Sequence, residues 1–252
     1  MSLASPHAQT AKTAIPVPAV ELSDLVRYAG ASGDFNAIHY DPAAASAAGL
    51  PGPIVHGMLS AGLIASALEA DGTAKIKGEI AFSFHRPVPA GQELELRLVS
   101  DTESTHAELT LPGGEKALVS AEVRDDGNGP SIMDSEDRVA LEPIYEWDAE
   151  RGASRFFADA VRAQGPRPVV GDLVPLTFPV SALRWSPAPA SAVKRLGFDY
   201  RRMLAGGTTF QFVGPRIAVG ESLIVTEAHT NRTEREHPVR GLMRFADVVL
   251  DF

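Results

Sequence analysis

Three features of the sequence predict an α+β chain made of two copies of one unit. An apolar segment without a charged side chain runs from Gly57 to Leu68, and its hydrophobic residues surround the helical wheel. Segments that alternate apolar and polar residues follow it, as half-buried antiparallel strands do. The stretch GEIAFSFHRPVPAGQELEL, starting at Gly78, then returns as GGTTFQFVGPRIAVGESLIV at Gly206, with one residue inserted in the turn. In that alignment Phe82 and Phe84 match Phe210 and Phe212, Pro87 matches Pro215, and Gly91 matches Gly220. Repetition of this kind marks a duplicated unit. A helix that is apolar all round must be buried on nearly all sides, and antiparallel strands wrapped on it supply the burial.

Residues 1–18 are rich in Ala, Pro, Ser and Thr and read as a disordered arm. Leu22, Leu25, Val26 and Ala29 fall at helical spacing, with Ser23 as N-cap and Gly30 and Gly33 ending the pattern. Asp41-Pro42 signals a second helix start, Asp as cap and Pro at the first helical position, closed by Gly49. The apolar helix runs from Gly57 to about Ala70. Strands follow at Ile80–Phe84 and Leu94–Leu98 around the turn Pro87–Gly91, then at Ala107–Leu111 and Leu118–Val123 around Pro112-Gly113-Gly114. This makes residues 19–124 one domain. Periodicity is lost over 125–148, where Asp, Gly, Pro and Ser gather as in a linker, and residues 149–252 form the second unit. There Phe156, Phe157, Ala160 and Val161 stand for the first helix, and Leu176–Leu183 stands where a buried helix should begin. The chain ends soon after Val248-Val249-Leu250, so the second unit reads as short of a final strand.

Composition narrows the function. A net charge of −9 argues against nucleic acid and anionic membranes as partners. Without cysteine there is no disulfide, thiolate chemistry or Cys-ligated metal, which fits a reducing cytoplasm. No apolar run reaches the about 18 residues of a membrane span, and the first residues lack a signal-peptide layout. His7, His106, His229 and His237 are scattered without metal-ligand spacing.

The candidate site lies in one stretch. Asp34 and His39 stand five residues apart in a polar loop, and a loop with Gly52 and two prolines then delivers His56-Gly57 to the head of the apolar helix. An Asp in an S-G-D turn is, taken alone, a turn former. Beside a histidine and a helix start it gains a chemical reading. The Gly57 N–H opens at a helix N-terminus, where the macrodipole favours an oxyanion. His56 reads as a structural residue bonded at the helix entry. Arg86, together with Lys75 and Lys77, is the candidate for meeting ligand phosphates, and His85 beside it is a strand residue.

The residues YAGASGDFNAIH and DPAAASAAGLPGPIVHGM resemble the hydratase 2 motif of the MaoC-like dehydratases, the (R)-specific enoyl-CoA hydratases of hot-dog fold. The family pattern is roughly Y-A-x-x-S-G-D-x-N-P-I-H-x-D, then I-x-H-G-M; Ala37 stands where the proline is usual. The resemblance implies a double hot-dog whose two sheets, each wrapped on a central helix, join into one continuous sheet. It also implies a hydro-lyase acting on a trans-2-enoyl thioester of CoA or acyl carrier protein. In that reading Asp34 and His39 hold one water and add it syn to give the (3R)-3-hydroxyacyl product. The Gly57 N–H forms the oxyanion hole, Asn36 holds the loop, and Ser32 and Gly33 shape the turn that aims Asp34. No metal or redox cofactor is implied. The second unit offers no Asp and His at the same spacing and resembles the non-catalytic half of tandem members. Acyl-thioester hydrolysis and non-catalytic thioester binding are the alternative functions, and association into a homo-oligomer stays open.

Overall fold

The computed structural model describes residues 13–71, 76, 78–100, 105–124, 138–186, 196–198, 203–238 and 241–252. The first half runs β1 (Thr13–Val17), α1 (Leu22–Ser32), α2 (Pro42–Ala47), α3 (Gly57–Asp71), β2 (Glu79–Phe84), β3 (Leu94–Ser100), β4 (Thr105–Thr110) and β5 (Val119–Arg124). The second runs β6 (Val139–Asp148), α4 (Arg151–Ala160), a 3-10 helix (Phe178–Trp185), β7 (Gly207–Gln211), β8 (Ser222–His237) and β9 (Gly241–Asp251). The α+β class is as expected.

Helix α3 is the centre of the first half. Leu59, Ala61, Leu63, Ile64, Ala65 and Leu68 are all buried, and the helix lies against β4 and β5. Each fully buried Leu or Ile contributes about 1.5–3 kcal/mol, so burial rather than amphipathic patterning holds this helix in place. The sheet around it has the order β1-β3-β4-β5-β2-β7, antiparallel throughout.

The two halves meet about a local two-fold relation. Aligning Gly78 with Gly206 places Ala81 on Thr209, and these two residues are direct partners in the antiparallel pair β2–β7. Phe82 and Phe210, equivalent by the same alignment, meet edge-on with centroids 6.3 Å apart. Antiparallel pairing centred on equivalent residues is what an internal two-fold produces. The buried Glu79 fastens the seam, accepting hydrogen bonds from Gln211 (2.7 Å) across it and from Arg124 of β5 (3.3 Å). Helices α1 and α4 pack together on the same relation.

Several expectations need correction. Residues 13–17, assigned to the disordered arm, form β1 against β3; residues 1–12 lie outside the described residues. Within the stretch read as a linker, 139–148 is strand β6 on β8, while 125–137 lies outside the described residues. Both missed strands contain proline, which sheets tolerate at edges and bulges. β1 and β6 are edge strands, and Pro143 falls within the register shift between Leu141 and Tyr145. The N-cap of α1 is Glu21, not Ser23: Glu21 and Asp24 bond each other's backbone N–H in a capping box. Gly30 lies inside that helix, and Gly33 ends it. Where the second unit's buried helix was expected to begin, Phe178–Trp185 is an eight-residue 3-10 helix, and residues 187–195 lie outside the described residues. Sheet continuity is carried by β7 alone; among the described residues β6, β8 and β9 form a separate sheet, in the order β6-β8-β9.

Side chains of the second half reach across at both ends of the helical layer. Arg162 donates to the Pro18 and Ala19 carbonyls (2.7 and 2.8 Å) and pairs with Asp24 at the start of α1 (3.0 Å). Arg216 pairs with Glu69 near the end of α3 (2.6 Å). Between them α3 approaches the second half closely at Gly62. A Cβ there would stand 2.5 Å from Val161 Cγ1 and 3.0 Å from its Cβ. Helix propensity alone would make Gly62→Ala stabilising by about 1 kcal/mol, but Val161 is stiff at χ1 and cannot turn aside. The contact reverses the sign. Urea unfolding is expected to show Gly62→Ala destabilised by about 1–3 kcal/mol, with recovery on adding Val161→Ala. A stabilised single variant would contradict the close approach.

Candidate active site

The loop after α1 is built from short hydrogen bonds that follow its residue types. Gly33 takes φ 82°, the left-handed conformation that ends a helix without steric cost. The Ser32 hydroxyl donates to Tyr28 O (2.8 Å) and accepts from the Asp34 N–H (3.2 Å). Asp34 Oδ1 then accepts from the Asn36 N–H (3.1 Å), which turns Oδ2 toward His39. Asn36 caps the 3-10 turn Ala37–His39, its Oδ1 accepting from the Ile38 N–H (3.4 Å). Ala37, in the place where proline is usual in the resembled pattern, opens that turn, so the turn forms without the proline. Asp41 caps α2 through the Ala43 N–H (2.8 Å), as the Asp-Pro pair predicts.

His39 is buried. Its Nδ1 lies 2.9 Å from the Ile54 carbonyl, an acceptor, so Nδ1 carries the proton and Nε2 presents a lone pair. That lone pair faces Asp34 Oδ2 at 3.8 Å, too long for a direct hydrogen bond and suited to a water shared by both atoms. The His39 side chain is 8% exposed and that of Asp34 39%, so the pair opens to solvent on the aspartate side. Burial lowers the His39 pKa from its ordinary value, partly offset by the Ile54 carbonyl and the Asp34 charge. The imidazole is therefore neutral near pH 7 and able to take a proton.

His56 has more than an entry role at α3. Its ring stacks on His39 with centroids 3.7 Å apart at 24°, and its Nε2 donates to the Asp34 carbonyl (3.2 Å). Its own carbonyl accepts from the Ser60 N–H (3.1 Å), starting the helix. It thus holds both catalytic candidates, one by its ring face and one by its N–H. His56 Nδ1 is buried with no hydrogen-bond partner among the described residues. Gly57 follows as the first residue of α3, where N–H groups have no intrahelical acceptor. The Phe84 ring covers its Cα, 3.1 Å from where a Cβ would stand. A side chain there would press on that ring.

Ligand atoms of Asp34, His39 and His56 lie within 4.8 Å of one another, the grouping among the described residues that could hold a metal ion. The nearly parallel stack aims the ring-plane lone pairs side by side instead of at one point, a geometry better suited to a shared water than to joint ligation. Arg86 stands exposed in the turn after β2 and takes no part in this cluster, its backbone N–H bonded to Leu118 O (3.2 Å). His85 bonds Ser120 (2.8 Å) on the exposed sheet face. Lys75 and Lys77 lie outside the described residues. Reasoning from sequence missed Phe84, whose alternation with Phe82 marked it only as core, and Tyr28, whose ring lies against His56 at 5.0 Å.

Residues 2–111 match the family model of the MaoC like domain. An (R)-specific enoyl-CoA hydratase of Aeromonas caviae is 38% identical over 74 residues, covering 29% of this chain and 55% of the relative, so the chain spans about half the length of that curated relative. A solved MaoC-like dehydratase superposes with a TM-score of 0.57 at 14% identity, covering 96% of this chain and 94% of the other. A Mycobacterium tuberculosis protein described as a double hotdog fold superposes at 0.56 and 11% identity, covering 97% and 91%. The two superpositions establish the double hot-dog fold of the chain.

Burial of His56 makes stability depend on pH. Burial first, and the neighbouring His39 charge second, pull its pKa from 6.5 down to about 4. Unfolded, the residue binds its proton near 6.5; folded, only near 4. Between those values the unfolded state binds more protons, so stability falls as pH falls, by about 1.4 kcal/mol per pH unit from this group. Above 6.5 the group adds no slope. Urea unfolding of wild type and His56→Gln between pH 7 and 4 is expected to show the steeper loss in wild type. Equal slopes would mean that folded His56 takes its proton normally.

Proposed function

We propose that this chain, which carries a MaoC-like domain over residues 2–111 within a double hot-dog fold, is a hydro-lyase. It adds water reversibly to a trans-2-enoyl thioester and forms the (3R)-3-hydroxyacyl thioester. One observation carries the reading: a neutral imidazole with its Nδ1–H committed to Ile54 faces a carboxylate oxygen at 3.8 Å, in the loop packed on the head of α3.

The chemistry asks for a base at the water, a donor at the thioester oxygen and a proton source at C2. A water held between Asp34 Oδ2 and His39 Nε2 gives a proton to Nε2 as its oxygen bonds to C3. The C2–C3 π electrons move toward the thioester carbonyl, whose oxygen gains negative charge and is held by the Gly57 N–H at the positive end of α3. The proton on Nε2 then passes to C2 from the same face, completing a syn addition of one water. Asp34 stabilises the imidazolium between these steps. His56 and Ser32 keep the two catalytic groups in register, and Asn36 fixes the loop. The reaction requires neither a metal nor a redox cofactor, and CoA or an acyl carrier protein is the carrier of the substrate.

The second half serves the first without chemistry of its own. Asp172, in the shortened loop equivalent to the catalytic one, spends its carboxylate on the Val169 N–H of a turn (2.9 Å). The aromatic residues Phe157 and Phe178 of that half stand in the core behind Tyr28 and His56.

The test is incubation with crotonyl-CoA, following enoyl absorbance and free thiol together. Loss of absorbance without thiol release is expected, with (3R)-3-hydroxybutyryl-CoA as product; thiol release would make the chain a thioester hydrolase, and neither change a binder. Asp34→Asn and His39→Asn should each lower turnover about 100-fold or more, while Asp172→Asn should not. Because the His39 pKa lies below its ordinary value, kcat/KM should fall with acid only below pH 6.5. An Asp34 or His39 variant with wild-type turnover would refute the mechanism.

A further inference from the structure

We infer that Arg184, supplied by the second half, is a positioning residue for Asp34, an assignment that rests on the hydratase reading above. The argument starts at the end of α1. Asp34 follows directly on Gly33, so its direction is set by how that helix terminates. Helix C-termini leave carbonyls without intrahelical donors, and a cation there also complements the negative end of the dipole. Within α1 itself, no basic side chain stands in the last turn.

Arg184 fills that place from outside. Its Nη1 donates to the Gly30 carbonyl at 2.7 Å, across 154 residues of sequence. Its aliphatic stem lies flat over Gly33: a Cβ at residue 33 would stand 2.7 Å from Arg184 Cβ, 2.9 Å from Cγ and 3.1 Å from Cδ. The same side chain therefore caps the last turn and covers the left-handed residue that redirects the chain into the catalytic loop. Its guanidinium carbon lies over the Trp185 ring, 5.5 Å from the centroid. Arg162 holds the opposite end of α1 through Pro18, Ala19 and Asp24. Both ends of α1 are thus contacted by the second half, while the histidine 3.8 Å from Asp34 is held elsewhere, on the Ile54 carbonyl. Misplacements of about 1 Å in such pairs cost up to about 100-fold in rate.

The experiment compares wild type with Arg184→Ala, Arg184→Met and Arg184→Lys on crotonyl-CoA, together with hydrogen exchange of the backbone amides of residues 30–39. Arg184→Ala is expected to lower kcat about 10-fold or more with KM within about two-fold, and to speed exchange in the Gly33–Asn36 turn. Lysine keeps both stem and donor and should restore most of the rate. Methionine keeps the stem alone and should fall between. Unchanged kcat and unchanged exchange in Arg184→Ala would overturn the assignment, as would a rise in KM alone, which would make Arg184 a carrier contact. If the alanine variant does not fold, the lysine and methionine variants decide on the same two readouts. If wild type fails to hydrate any enoyl thioester, the hydratase reading fails, while the exchange measurement still tests the hold of Arg184 on the turn.

Discussion

The stack of His39 on His56 is the interaction on which the site depends. Two imidazoles 3.7 Å apart would repel if both were charged, so the stack requires burial that keeps them neutral. Each ring has one nitrogen at a backbone carbonyl, Nδ1 of His39 at Ile54 and Nε2 of His56 at Asp34. These two bonds tie together the helix entry, the segment before it and the Asp34–His39 loop. The tautomers follow from the carbonyls, and the direction of the reactive lone pair follows from the tautomers.

The stack also begins a line of ring contacts that crosses the molecule. His56 meets Tyr28 at 5.0 Å, Tyr28 meets Phe157 at 5.7 Å, Phe157 meets Phe178 at 5.3 Å, Phe178 meets Trp147 at 5.3 Å, and Trp147 meets Phe252 at 5.5 Å. The step from Tyr28 to Phe157 passes from one half to the other. A loop of small polar residues such as the one holding Asp34 cannot bury enough apolar surface to hold its own shape. Here that shape is borrowed from a core shared by two hot-dogs, whose buried residues form one cluster from Val20 to Val225.

The duplication also gives the first half a partner for its open sheet edge. The pseudo-two-fold pairing of β2 with β7 covers an edge of the first sheet that would otherwise be open. Burying Glu79 between Arg124 and Gln211 makes that pairing specific, because a buried carboxylate left without its partners is costly. Edge, core and helix ends of the first half are thus all met by its neighbour. The second half reaches the ends of α1 and α3 through Arg184 on Gly30 and Arg216 on Glu69.

How much of this was legible follows from how far apart the cooperating residues lie. The site groups Asp34, Asn36, His39, His56 and Gly57 fall within one short stretch, held by local bonds whose residue types announce them: Asp-Pro at a helix start, Gly at a left-handed end, Asn at a cap. The buried helix and the strands after it were legible because a wheel without charges and an alternation of period two each admit one environment. The repeat at Gly78 and Gly206 determined two copies, while the register across the seam, with Ala81 opposite Thr209, came from the structure. Strands β1 and β6 were not legible, since proline-containing segments become strands only when a partner's edge is there to accept them. The stacking of His56 on His39 and the roles of Phe84, Tyr28 and Arg184 came from tertiary structure alone. Each depends on a contact with a group that no local pattern brings near, and in the case of Arg184 that group lies 154 residues away in the other half.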